Sequence, residues 1–209
     1  YDDALNPTVN SKEAIAATDF LKKLMTVSPK GASTANSDEV TSKFLGENIG
    51  AMINYSGYYG SVLDKSINKN EGKIGTAPMP KGSADITHLA GWNIGIPKDA
   101  KNPTAAWKFL EYVLGKTNAK TYLESGAAAI GRKSITTDAD LLAKFPYLAQ
   151  LEIPASSRIE RYPQIAVWPE FEVAAIDAVT QVLNGKSDST KAMTALNEKL
   201  KPILAKEPK

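Results

Sequence analysis

The sequence predicts an α/β fold that is richer in helix than in strand. Apolar residues recur at helical spacing in one segment after another, with capping residues at the segment ends. Runs rich in β-formers are few and short. A hydrophobic content of 43% over 209 residues is enough to fill a core, in one large domain or two small ones.

Residues 10–28 read as a helix, with Asn10 and Glu13 as a capping-box pair and Ile15, Phe20, Leu21 and Leu24 as its apolar stripe. A polar loop follows, then a short helix capped by Ser37 with Val40, Phe44 and Leu45 inward. Gly46 and Gly50 bracket a turn, and "AMINY" (51–55) reads as a short buried strand. Ser56 is placed to cap a further helix carrying Tyr58, Tyr59, Val62 and Leu63. "KIGTAPMPKGS" opens as a strand that its two prolines end. The alternating run "HLAGWNIGIP" predicts a second strand over 92–96. "KNPTAAWKFLEYVLG" is the clearest helix, with Asn102 as cap, Pro103 at its first position and Gly115 closing it. It is apolar on most sides, which predicts burial, Trp107 included. Further helices are expected over 117–124, 138–144, 147–153, 169–183 (closed by Gly185) and 189–204, with "AAAIGRKSI" and "RYPQIAVWPE" irregular between them. No repeat and no low-complexity linker is present.

The charge balance, 25 basic against 23 acidic residues and a net +2, argues against a nucleic-acid or membrane-surface partner. The absence of cysteine excludes disulfides, thiol catalysis and cysteine metal sites. His88 is the single histidine, so no histidine metal cluster exists and a histidine triad would have to use it. No metal and no cofactor is expected. No apolar run reaches membrane-spanning length. The chain opens on "YDDALNPTVNS" rather than on a signal peptide, which leaves room for an export signal upstream.

Enzyme signatures are missing: no phosphate-binding loop, no nucleophile elbow and no dinucleotide-binding glycine pattern is found. Glu170 and Glu172 are two apart on a helix and do not share a face, so they make a poor acid/base pair. Aromatics carry the stronger signal. Tyr58, Tyr59, Trp92 and Trp168 fall at element ends or in Gly- or Pro-flanked turns, where they read either as core or as ligand-facing rings. Flat rings suit the C–H faces of a sugar. Asn54, Arg132 and Glu170 are the polar neighbours able to add directional bonds.

Four segments in order, "FLGENIGAMINYSGYYG", "KIGTAPMPKG", "LAGWNIGIPKDAKNPTAAWKFLEY" and "AAIGRKS", resemble the extracellular solute-binding proteins of carbohydrate ABC importers, the maltose-binding-protein-like group. The resemblance spans nearly the whole chain but reaches only the C-terminal half of that family's two-lobed pattern. It implies a type II periplasmic-binding-protein-like α/β fold, here an incomplete, helix-rich C-terminal portion. Residues 1–73 and 134–209 are then expected in the C-terminal lobe, and 74–133 in a segment returning to the N-terminal lobe. The resemblance also implies a carbohydrate ligand in an interlobe cleft, delivery to a membrane permease without catalysis, and a location in the periplasm or on the outer face of the cytoplasmic membrane. Tyr58 matches the family's sugar-stacking aromatic, with Tyr59 its neighbour or support. Trp92 replaces the second glycine of a family strand and adds an aromatic. Trp168, in "WPE", matches a late cleft residue. The family's Pro before the loop arginine is Ala129 or Ile130 here, which loosens the match of Arg132. A chain of this length is expected to expose surface that the other lobe covers, and so to self-associate. A sugar-cleaving enzyme fragment and a same-fold binder of a non-sugar solute are the alternatives.

Overall fold

The structure is a computed structural model that describes residues 1–47, 49–70, 72–82, 84–89, 91–126, 131–151 and 158–208. Its elements in chain order are α1 (Lys12–Met25), α2 (Ser37–Gly46), a 3-10 turn (Ser56–Tyr58) running into α3 (Tyr59–Leu63), β1 (Ile86–His88), α4 (Pro103–Val113), α5 (Lys116–Glu124), α6 (Lys133–Thr136), α7 (Ala139–Lys144), a 3-10 helix (Pro146–Leu151), β2 (Arg158–Glu160), α8 (Trp168–Leu183) and α9 (Ser189–Leu204). The chain divides into two units, residues 1–36 with 162–209, and residues 37–161.

The first unit is helical. Asp188 caps α9 by accepting the Lys191 N–H at 2.8 Å. Ala192, Met193, Leu196, Leu200 and Leu204 then fall three and four apart and form one buried seam. That seam packs on Phe171, Ala174 and Val182 of α8. The link between the helices turns at Gly185, whose φ of 72° only glycine adopts freely. There the Gly185 N–H bonds the Val182 carbonyl at 3.0 Å and the Lys186 N–H bonds that of Gln181 at 2.8 Å. α1 packs against both helices. Its cap is Ser11, which accepts the Ala14 N–H at 3.2 Å, and not Asn10, which lies one residue too early to reach the orphan donors.

The second unit holds a separate core of Ala119, Leu123, Ile135, Leu141, Phe145, Tyr147 and Leu148, drawn from α5, α6, α7 and the 3-10 helix. Tyr59 packs on it, its ring 3.8 Å from that of Tyr147. β1 and β2 pair in parallel, with Ile86 opposite Arg158 and His88 opposite Glu160.

Several sequence expectations change. Residues 51–55 form no strand, and Ile53 and Tyr55 are exposed. The predicted strand over 92–96 is absent too; the ladder forms earlier, at Ile86–His88, and Trp92 is fully exposed at 102%. Residues 73–82 of "KIGTAPMPKGS" are likewise irregular, and Ser83 lies outside the described residues. A strand exists only through the neighbour it pairs with, and among the described residues only Arg158–Glu160 supplies one, to β1. α4 forms as expected, but its burial does not follow. Ala106, Leu110 and Val113 make a half-buried stripe, while Trp107 (57% exposed), Phe109 and Tyr112 point to solvent. "AAAIGRKSI" ends in α6 rather than staying irregular; residues 127–130, including Ala129 and Ile130, lie outside the described residues, as do 152–153 of the predicted 147–153 helix.

α3 and the end of α5 approach closely: a Cβ at Gly60 would collide with the backbone carbonyl of Gly126. Alanine at Gly60 is therefore expected to lower stability by about 1–3 kcal/mol. Alanine at Gly82, which has open space around it, is expected to change stability by no more than about 0.5 kcal/mol. Chemical denaturation of both variants beside the wild type checks the pair.

Candidate ligand-binding site

Helix α2 organises the site because both of its ends are held by the chain that follows. At its start the Asn54 side-chain amide donates to the Ser37 carbonyl and to Thr41 Oγ1, each at 3.0 Å. Asn54 Oδ1 also accepts the Tyr55 N–H at 2.8 Å, which turns the chain into the 3-10 turn at Ser56–Tyr58. No side chain caps that turn, contrary to the role expected of Ser56; the Tyr58 N–H bonds the Tyr55 carbonyl at 3.0 Å. At the far end of α2 the Lys69 N–H takes the Leu45 carbonyl at 3.2 Å. The buried Asn68 donates to the Val62 carbonyl at 2.6 Å and accepts the Asn70 N–H at 2.8 Å, which fixes the return loop. Helix-end carbonyls without an intrahelical partner are thereby satisfied.

Between α2 and this loop lies an open depression of about 320 Å³, lined by Asp38, Ser42, Leu45, Tyr58, Ser61 and Lys69 among others. Asp38 and Tyr58 line this depression together, and the Tyr58 pKa is raised with Asp38 as its first cause. Interaction with Asp38 is the main reason the phenol is pushed up, with desolvation and the carboxylate's charge adding and Ser37 opposing. One ring, hydroxyls and a carboxylate–lysine pair can hold a small polar solute by stacking and hydrogen bonds. Among the described residues no group of acidic or histidine side chains could hold a metal.

The remaining predicted residues fall as follows. Tyr59 turns inward to Tyr147 and supports the turn, whereas Tyr58 lines the depression. Trp92 belongs to the same unit and carries a fully exposed ring. Arg132 donates to the Leu114 carbonyl at 3.1 Å, closing the end of α4. Trp168 and Glu170 belong to the other unit. One face of Trp168 stacks on Phe171, centroids 5.3 Å apart, and Tyr162 lies beside it at 5.9 Å. Glu170 pairs with Lys206 at 2.6 Å. The Glu207 carboxylate, which the sequence did not single out, accepts the Ala166 and Val167 N–H groups at 2.9 and 3.0 Å and so holds the approach to Trp168. Asp38 was missed as well: at the start of a helix an acidic residue reads as a partner of the helix dipole, and nothing in its local sequence announces a place beside Tyr58 on the depression.

Compared with known protein families, residues 1–120 match the one described as bacterial extracellular solute-binding protein. The chain belongs to this family. Among curated relatives, a probable ABC transporter-binding protein of Deinococcus radiodurans is 24% identical over 94% of this chain and 48% of its own length. A probable amino-acid ABC transporter periplasmic-binding protein of Sinorhizobium fredii is 23% identical over 98% of this chain and 46% of its own. The chain thus spans about half the length of the curated relatives it matches. Among solved structures, an ABC transporter solute-binding protein from Agrobacterium radiobacter K84 in complex with ribitol aligns with a TM-score of 0.79 and 28% identity, over 97% of this chain and 52% of its own. Maltose-bound MalE3 of T. maritima aligns with a TM-score of 0.82 and 22% identity, over 97% and 53%. The fold is that of type II periplasmic-binding proteins, helix-rich here, and covers about half of each of those chains.

Burial of Tyr147, and after it the nearby Tyr59 phenol, raises the Tyr147 pKa from its usual 10.0. A phenol whose folded-state pKa is raised contributes stability that is full below its unfolded value and is lost as pH rises through its folded value. The stability of wild type relative to Tyr147→Phe is therefore expected to fall as pH climbs above 10.0. Urea unfolding of the two proteins at about pH 8 and about pH 11 measures it. An unchanged difference contradicts the burial of this phenol.

Proposed function

We propose that this chain is part of the solute-capturing protein of a carbohydrate ABC importer, binding a sugar, an oligosaccharide or a related polyol and delivering it to the membrane permease. The observation that carries this reading is the likeness, over 97% of the chain and at 28% identity, to a protein in complex with ribitol. Tyr58 supports it, since a ring lining a depression offers a stacking face to a ligand whose groups are C–H and O–H. In this reading Trp92 and Trp168 add aromatic contact, Tyr59 holds the Tyr58 turn from behind, and Asn54, Arg132 and Glu170 act nearby or within the supporting structure. The ligand is bound and released unchanged. Closure of two lobes around it is the signal the permease reads, and the protein works in the periplasm or on the outer face of the cytoplasmic membrane.

The lobe assignment belongs to the same proposal: 1–73 and 134–209 in the C-terminal lobe, 74–133 in the segment returning to the N-terminal one. The uncovered face of α4, with Trp107, Phe109 and Tyr112, is then a surface that further length of the kind seen in the relatives covers. The 209 residues alone are expected to self-associate through it, and sedimentation of the isolated chain as a dilution-insensitive monomer would contradict that.

A second reading has one observation in its favour. Asp38 and Lys69 line the same depression, a charge pair suited to a zwitterion, and one relative is named as a probable amino-acid binder. Titration calorimetry of the full-length protein against neutral sugars, polyols and amino acids separates the two. The expected outcome is binding of a sugar or polyol, weakened about 10- to 100-fold by Tyr58→Ala with the fold intact. Binding confined to amino acids overturns the carbohydrate reading, and unchanged affinity in Tyr58→Ala removes that residue from the site.

A further inference from the structure

We propose that Glu207 is a positioning residue for ligand recognition, setting the direction of the Trp168 ring by clamping the backbone that leads into α8. The proposal rests on the carbohydrate reading, in which Trp168 contacts the ligand, and deepens it. Helix α8 starts without a side-chain cap of its own. Val167 stands at the cap position and has no side-chain acceptor to offer, and Pro169, in the first turn, has no N–H. The Ala166 and Val167 N–H groups, just ahead of the helix, are taken instead by a carboxylate some forty residues further along the chain. Glu207 accepts both, at 2.9 and 3.0 Å.

Bonds from backbone N–H groups to a carboxylate are charge-assisted, and negative charge ahead of a helix N-terminus also suits its dipole. The neighbouring Lys206 adds a second attachment, to Glu170 in the first turn of α8, at 2.6 Å. Both tail residues are themselves fixed. The Lys206 and Glu207 N–H groups bond the Ile203 and Leu204 carbonyls at 3.1 Å, and Leu204 is buried in the core that α9 shares with α8. The clamp therefore ties the start of α8 to the end of α9. Trp168 is the next residue after the clamped pair. The direction in which its side chain leaves the backbone is set at 167–168, where the Trp168 N–H also bonds the Ile165 carbonyl at 3.2 Å. The buried Phe171 supplies the surface on which the ring then stacks. A ring whose direction is set before the ligand arrives loses less freedom on binding, and this raises affinity without adding any contact. Glu207 acts through Trp168 and need not touch the ligand.

The test uses the full-length protein with ribitol and maltose as probes. Glu207→Ala is expected to weaken binding about three- to tenfold, and Glu207→Gln, which keeps an acceptor oxygen, to recover part of that loss. If Glu207→Ala does not fold, Glu207→Gln carries the same comparisons, with a smaller loss expected. In a Trp168→Leu background, which keeps apolar packing on Phe171 but no flat ring, the Glu207 substitution is expected to have no further effect. A spectroscopic readout separates positioning from mere loss of stability. With Trp92→Phe and Trp107→Phe in place, Trp168 is the single indole. Its near-ultraviolet circular dichroism in the ligand-free, fully folded protein is expected to change in Glu207→Ala and to return toward the wild-type band in Glu207→Gln. A band indifferent to Glu207 overturns the clamp. If wild type binds a probe and the Glu207 variants bind it equally well, or lose as much with Leu at 168 as with Trp, the positioning role is overturned and the carbohydrate reading stands. Unchanged affinity in Trp168→Leu has the same consequence. If wild type binds neither probe, the carbohydrate reading fails in this form and the role of Glu207 in recognition falls with it.

Discussion

The candidate site depends on the anchoring of helix α2 at both ends. A ten-residue helix is too short to be stable by its own backbone bonds. Here its first turn receives Asn54, and its last carbonyls receive Lys69 and Asn70. The helix and the segment over 54–70 therefore stabilise each other, and the depression between them is a consequence of that mutual holding.

The two units differ in how their parts are supported. In the first, the seam of α9 against α8 is continuous and apolar, so burial alone accounts for its order. In the second, short helices converge on a small core while α4 leaves its aromatic side chains in solvent. Polar ties then matter more: Asn54, Asn68 and Asn70 are all amide side chains bonded to backbone carbonyls of neighbouring segments. Each satisfies a group that would otherwise be costly to leave unpaired.

What could be read from the sequence was what is local. The helix over Ser189–Leu204 was legible in full, since its stripe and its start lie within one stretch of chain. The start of α4 at Pro103 and the close of α8 at Gly185 were legible for the same reason. Strand pairing was not, because β1 and β2 are some seventy residues apart and a run of β-formers says nothing about where its partner lies. The site was half legible. Tyr58 and Tyr59 stood out as adjacent aromatics near glycines, but their division into one lining the depression and one facing in rests on Tyr147, distant in sequence. The burial expected of Trp107 failed because an apolar pattern reports what a helix could bury, and covering it needs a neighbour that the described residues do not supply.

The central claim is that the turn presenting Tyr58 is formed before any ligand binds. Amide hydrogen exchange in the ligand-free, full-length protein tests this directly. The Tyr55 N–H, bonded to Asn54 Oδ1, and the Tyr58 N–H, bonded to the Tyr55 carbonyl, are predicted to be protected together with the Lys69 N–H at the end of α2. Exchange of all three at the rate of an unstructured chain, with protection gained only on adding ligand, would contradict it.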